Sequence, residues 1–310
     1  MNETHAGLLG TAVDWNILLE RIERGNCTPF VGAETNLGNI PPRSQIAKEL
    51  ADEFHYPLQD SDNLARVTQF IVTTRDERVP RDKIADRYEQ TPPPDFDSTE
   101  ELHRVLAQLP LPVYVTTDYD NYMFEALKRA RKDPKREFCR WRKDLQEDPP
   151  NIFDTDYLPT PANPVVFHLH GYAQDPNTLV LTEDDYLDFL AVSRDTGDSM
   201  GKNRIIPAHI ERAFTQRCLL FLGYRFGDLE FRVLLRSLVT AFARNKYRHI
   251  TVQFVQDLAN ATEEEKTRQR HAQEYLASYC EKEPRSQVYW GTTRDFVAEL
   301  RQRWEAFRRK

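Results

Sequence analysis

Four apolar runs along the chain end in the same way. Cys27-Thr28-Pro29-Phe30-Val31 stops at Gly32-Ala33-Glu34, and Pro112-Val113-Tyr114-Val115 stops at Thr116-Thr117-Asp118-Tyr119-Asp120. Val165-Val166-Phe167 stops at His168-Leu169-His170-Gly171, and Cys218-Leu219-Leu220-Phe221-Leu222 stops at Gly223-Tyr224. Short runs of β-branched and aromatic residues without polar alternation predict strands buried on both faces. In an open parallel sheet the carboxyl ends of the strands face the ligand crevice. Small and polar residues at four such ends therefore outline one site.

Between the runs the period changes to that of a helix. Trp15, Leu18, Leu19 and Ile22 follow Asp14 and precede Gly25, which predicts a capped helix over 14–24. Further helices are expected over 44–54, 121–131, 205–215 and 228–244. Thr182 with Asp185 reads as a helix start of the capping-box kind, with Asp184 beside it. Asp228 is either a cap or a site residue. Strands are also expected at 250–255 and 288–290. Residues 61–109 read as a helical insertion over the sheet, broken at Thr91-Pro92-Pro93-Pro94. Residues 132–164 read as an irregular surface excursion, and 262–310 as a C-terminal helical extension. Strands alternating with helices predict an α/β fold, a parallel sheet with helices on both faces, in a single domain over 1–310.

Composition narrows the function classes. Of 310 residues, 40% are hydrophobic, enough for a sizeable core, and the net charge of -7 argues against direct nucleic-acid binding. The basic cluster at Arg301, Arg303, Arg308, Arg309 and Lys310 is read as a solvated helix face or a contact to a partner or following domain, rather than a nucleic-acid patch. No apolar run approaches the roughly 18–20 residues that span a bilayer, and residues 1–10 lack the pattern of a signal peptide. Cys27, Cys139, Cys218 and Cys280 are scattered, with no zinc-ribbon spacing. The expectation is a reduced, soluble, cytoplasmic protein with no metal and no zinc ribbon.

His170, at the end of a buried strand and before a glycine that lets the chain turn, is the leading candidate for chemistry. His168 is read as a satisfied core histidine on the opposite face of the pleat. Asp118 and Asp120 lack neighbours at metal-ligand spacing, and Asp120 also suits a helix cap.

Taken together, Phe30-Val31-Gly32-Ala33, Thr116-Thr117-x-Tyr119-Asp120, His168-Leu169-His170-Gly171, Leu179-Val180-Leu181-Thr182-x-x-Asp185-Tyr186 and Leu220-Phe221-Leu222-Gly223-Tyr224-x-x-x-Asp228 resemble the sirtuin-like NAD hydrolases of bacterial anti-phage defence. The resemblance runs from about residue 14 to 255. It implies a Rossmann-like fold with NAD as substrate, cleaved to nicotinamide and ADP-ribose, and a homo-oligomer or a partner defence protein. It makes His170 the catalytic histidine and puts Asp118 in the place of the family's catalytic asparagine. Gly32 and Ala33 would lie against the pyrophosphate, with Glu34 and Thr35 in the same loop. Asp120 would support the ribose side, beside Thr117 and Gly171. Gly223 and Tyr224 would line the adenosine end, followed by Arg225 and Asp228. The chain departs from the family's pattern at Glu34, Asp118 and Arg225, where a glycine, an asparagine and a serine are usual. Two function classes thus stay open: an NAD hydrolase, or a catalytically impaired subunit that binds NAD or ADP-ribose or acts by assembly.

Overall fold

A computed structural model of the chain describes residues 13–36, 39–147, 151–193, 205–225, 231–232, 235, 247–254, 262–282 and 285–309, the side chains of Glu34, Asn36, Glu147 and Ser193 excepted. Seven strands form one sheet: β1 (Cys27–Val31), β2 (Val113–Thr116), β3 (Lys135–Phe138), β4 (Val165–His168), β5 (Cys218–Leu222), β6 (His249–Gln253) and β7 (Ser286–Trp290). Their order is β3-β4-β2-β1-β5-β6-β7 and every pair is parallel. β1, β2, β4 and β5 are buried along their whole length, which is why their sequences are continuously apolar.

Alternate strand residues feed two cores, one on each face. Val31, Tyr114, Val166, Leu220 and Ile250 join helices α1 (Trp15–Glu23), α2 (Arg43–Phe54), α3 (Leu64–Thr74), α4 (Arg78–Gln90), α5 (Leu102–Ala107) and α6 (Tyr122–Arg129). Phe30, Val115, Phe167, Leu219 and Phe221 join α7 (Asp144–Glu147), α8 (Glu183–Ser193), α9 (Ala208–Gln216) and α10 (Glu263–Lys282). The last helix, α11 (Thr293–Phe307), returns to the first face. This is a Rossmann-like α/β sheet with helices on both faces. Among the described residues no helix is long and apolar enough to cross a membrane.

Local chemistry explains the element ends. Asp14 accepts the Ile17 N–H at 3.1 Å to start α1, and Gly25 closes it with φ +67°. Thr182 Oγ1 accepts the Asp185 N–H at 3.1 Å while Asp185 Oδ2 accepts the Thr182 N–H at 3.0 Å, a capping box that starts α8.

The stretch 132–164 is more than an excursion, because it contains edge strand β3. Its sequence, Lys135-Arg136-Glu137-Phe138, has no apolar run to betray it. Edge strands tolerate charge, and Glu137 is buried only because Arg140 and the Phe138 and Ile152 N–H groups meet its carboxylate at 2.8–3.1 Å. The strand expected at 250–255 begins earlier, at His249. The expected helix over 228–244 lies almost wholly outside the described residues; within it, Phe231 and Leu235 are buried.

The insertion over 61–109 becomes α3, α4 and α5, and the first two are tied to the turn before α8. Buried Arg81 of α4 holds Asp185 through two contacts of 2.9 Å and donates to the Leu179 carbonyl at 2.6 Å. Thr68 of α3 donates to the Leu181 carbonyl at 3.1 Å. The register levels the four strand ends: Val31 pairs with Thr116 on one side and Leu222 on the other, and Thr116 pairs with His168.

Candidate functional site

The chain order reverses between β1 and its neighbours β2 and β5, the position where open α/β sheets bind ligands. Two chain turns cross tightly there. A Cβ on Gly32 would stand 2.6 Å from the Gly223 carbonyl and 2.7 Å from the Tyr224 ring. A Cβ on Gly223 would meet Thr35 at 2.6 Å, and its φ of +74° also favours glycine. Thr35 Oγ1 donates to the Gly32 carbonyl at 2.8 Å and pins the turn that holds Ala33, Glu34 and Thr35. Tyr224 lies across this junction. Its hydroxyl is 2.8 Å from Thr117 Oγ1 and donates to the Val31 carbonyl at 3.0 Å.

Beside that junction lies a polar pocket. Asp118 is 1% exposed; its Oδ1 accepts the Tyr88 hydroxyl at 2.7 Å and the Tyr119 N–H at 2.8 Å. Asp120 Oδ1 accepts the Tyr122 N–H at 2.6 Å. Burial first, and then the Asp118 charge, raise the Asp120 carboxyl far above the ordinary carboxylate range. Arg43, the first residue of α2, reaches the Thr117 carbonyl at 2.8 Å and the Tyr186 hydroxyl at 3.2 Å. Its guanidinium lies 4.4 Å from the Tyr119 ring centroid.

His170 completes the pocket. Its ring stands edge-on to Tyr186 and Phe189, with centroids 5.3 and 5.2 Å away, and neither ring nitrogen has a hydrogen-bond partner. Burial, with a smaller contribution from Arg43, lowers it to about 3, so it is neutral at neutral pH. Gly171, with φ +78°, turns the chain straight after it.

The expected pleat relation of His168 is corrected: positions two apart in a strand share a face, and His168 and His170 part company only because β4 ends at His168. His168 is buried, with its ring 5.2 Å from the Tyr172 ring and against the Asp118 backbone.

The structure therefore gathers Gly32, Ala33, Thr35, Thr117, Asp118, Asp120, His170, Gly171, Gly223 and Tyr224 at adjoining strand ends. Arg225 follows as an exposed residue. The Glu34 side chain and Asp228 lie outside what the structure describes. Gly32 has a reason the sequence did not suggest: the space where a Cβ would stand is filled by Tyr224 of the same chain. Sequence reasoning missed Arg43 and Tyr88, and held Tyr186 only as part of a motif, without a place in the site. Arg43 carried a faint signal, a lone cation straight after Pro41-Pro42 at a helix start following a glycine loop. Tyr88 carried none, because its helical spacing is also that of a core residue.

The family model described as SIR2-like domain matches residues 112–280, more than half of the 310. The chain belongs to the SIR2-like family. Among curated proteins, this SIR2-like chain is 23% identical over 253 residues to the NAD(+) hydrolase ThsA of Enterococcus faecium, covering 77% of the chain and 46% of the relative. It is 23% identical over 235 residues to the NAD(+) hydrolase ThsA of Cytobacillus dafuensis, covering 74% and 42%. The NAD(+) hydrolase ThsA of Bacillus cereus (strain MSX-D12) is 27% identical over 149 residues, 48% of this chain and 27% of the relative. The chain thus spans less than half the length of these relatives.

Proposed function

We propose that this SIR2-like chain hydrolyses NAD to nicotinamide and ADP-ribose and serves as an NAD-depleting effector of anti-phage defence, assembled as a homo-oligomer or with a partner protein. The observation that carries the reading is the pocket at the ends of β2 and β4. It holds a neutral histidine with free nitrogens, an aspartate held by hydroxyl and amide donors, and one arginine. Cleaving the bond between ribose C1′ and the nicotinamide nitrogen sends the electron pair to the leaving ring and leaves positive charge on the ribose. The Asp118 carboxylate, 1% exposed, stabilises that charge away from bulk solvent. Neutral His170 accepts a hydrogen bond from a ribose hydroxyl and orients the sugar. Arg43 fixes the Thr117 carbonyl and hence the strand end that carries Asp118.

A second reading rests on Asp118 in the asparagine's place and on Tyr224 seated over Gly32. In it the chain binds NAD or ADP-ribose without cleaving it, or acts through assembly. Purified protein incubated with NAD, beside Asp118→Asn, separates the two by chromatography of nicotinamide and ADP-ribose. Turnover by the chain itself is expected. A silent parent with saturable NAD binding would establish the second reading, and neither turnover nor binding would remove both NAD readings.

A further inference from the structure

A second concavity lies between α5, α6 and α11 and shares no residue with the strand-end pocket. Small side chains leave the space open. Ala107 of α5, Ala126 of α6 and Ala130 just after it present only methyl groups to the gap beside Trp304 of α11. The cavity is about 750 Å³, within the range of roughly 300–1,000 Å³ that small-molecule sites occupy. Phe96 and Trp304 complete its apolar wall, and both are buried.

Its charge is opposite to that of the chain, which carries -7 overall. Arg104, Arg129, Lys132, Arg308 and Arg309 line it, against Asp97 and Glu305. Glu305 is already engaged, by Arg301 at 3.7 Å and Arg309 at 3.9 Å. Among the described residues no carboxylate meets Arg129, Lys132 or Arg308. Three of the cations are nonetheless held in place. The Arg129 guanidinium lies 5.0 Å from the Phe96 ring centroid, and Arg104 donates to the carbonyls of Phe96 and Asp97. Lys132 Nζ donates to the Leu109 carbonyl at 2.6 Å, which uses one of the three ammonium donors. Burial lowers that ammonium to about 8, as expected of a half-buried cation with no counter-charge beside it.

Helix ends account for part of the cluster. α5, α6 and α11 all end at the cavity, and each C-terminus acts as roughly half a negative charge. Together they offset about half of a net excess of three positive charges. The rest is left to solvent or to an anion. Cations already pinned around an apolar wall favour the anion, because little side-chain freedom remains to be lost on binding. Their convergence on one concavity, rather than along a stripe, suits a small ligand better than a polyanion.

We propose that the cavity between α5, α6 and α11 is a second ligand site that takes a nucleotide, with phosphate against Arg129, Lys132 and Arg308 and a flat ring against the alanine methyls beside Phe96 and Trp304. The site does not depend on NAD cleavage. A mononucleotide and ADP-ribose, a product of the proposed reaction, both present this chemistry.

The test titrates the ¹⁵N-labelled full chain with pyrophosphate, AMP and ADP-ribose in turn, following the Trp304 indole N–H by NMR, with Trp304→Phe to assign the signal. AMP or ADP-ribose should shift it saturably, and the tighter of the two names the source. Arg129→Glu combined with Arg308→Glu, both at exposed positions, should weaken binding by about tenfold or more without lowering the melting temperature. Lys132→Met, which keeps the apolar stem, should weaken it as well and decides the matter if the double variant melts lower. His170→Ala, in the other pocket, should leave the Trp304 shift intact. No shift with any of the three probes overturns the site. So does a shift that survives the charge substitutions or vanishes in His170→Ala. Pyrophosphate binding as tightly as AMP and ADP-ribose overturns the nucleotide assignment.

Discussion

β1 divides the sheet into two wings built from the same kind of strand. On one side, β2 and β4 end in Asp118, Asp120, His168 and His170, under helices that bring Arg43 and Tyr88. On the other, β5, β6 and β7 are sealed largely by apolar side chains, with Trp15 stacked on Phe296 at 5.3 Å and Tyr289 edge-on to it at 5.1 Å. Each wing buries histidines, and they differ. His249 in the apolar wing accepts the Leu219 N–H at 3.0 Å, whereas neither ring nitrogen of His170 has a partner. A buried polar atom without a partner costs about 1–3 kcal/mol. Such atoms occur in both wings, since Gln273 and Ser286 on the apolar side also carry them, but at the β2 and β4 ends they adjoin the buried carboxyls of Asp118 and Asp120. The difference teaches that apolar pattern locates strands, while polar side chains gathered at adjoining strand ends mark the candidate site.

The sharpest way to break this comparison is at Arg81. Arg81→Met leaves Asp185 buried without its cation and should cost about 3–5 kcal/mol by denaturant unfolding, loosening α4 and Tyr88 with it. Phe296→Ala, in the opposite wing, should cost a similar amount, about 3–5 kcal/mol, through the cavity it leaves. Their consequences should diverge. Per folded molecule, Phe296→Ala should turn over NAD as the parent does, while Arg81→Met should be slower. Equal effects on turnover would erase the distinction between the wings.

Acid provides a smaller effect with a definite sign. Burial, followed by Arg136, lowers His168 to about 3, and burial likewise lowers His170 to about 3. Both would titrate near 6.5 in the unfolded chain. The unfolded chain therefore binds more protons throughout that window. Their contribution is fully present above pH 6.5 and is lost as pH falls toward 3. Each should remove about 2 kcal/mol by pH 5. Asp120 runs the other way, because its raised carboxyl loses stability as pH rises. His168→Leu isolates one histidine: its stability relative to the parent should rise by about 2 kcal/mol between pH 7 and pH 5, and a constant difference would contradict the buried neutral state.

The smallest effect concerns a cap far from the crevice. Thr292 and Asp295 form a capping box at the start of α11, with bonds of 3.0 and 3.2 Å. Thr292→Ala should cost about 1 kcal/mol and leave turnover unchanged.

The sheet's centre was legible because β1, β2, β4 and β5 are buried on both faces and read as unbroken apolar runs. β3 was not, since an edge strand of four residues with three charges carries no such signal. Caps at Asp14 and Thr182 were readable from residue type alone, because a short polar side chain before an apolar period has few other uses. The strand-end residues of the site were readable for the same reason that the strands were. The second layer was not. Arg43, Tyr88 and Tyr186 arrive from helices far apart in sequence, and only the packing of α2, α4 and α8 over the strand ends brings them to Asp118 and His170. The pleat relation of His168 to His170 was misread because positions two apart in a strand share a face; their rings separate only because β4 ends at His168.

The central claim is that the pocket at the ends of β2 and β4 cleaves NAD with His170 in contact with substrate. His170→Ala removes the imidazole and with it two partnerless buried nitrogens, so the variant should stay folded. The deciding measurement is nicotinamide release by parent and His170→Ala, each corrected for folded fraction by its melting curve. A loss of about 10²–10⁴-fold with an unchanged or raised melting temperature is expected. An unchanged rate in a folded variant would contradict the account.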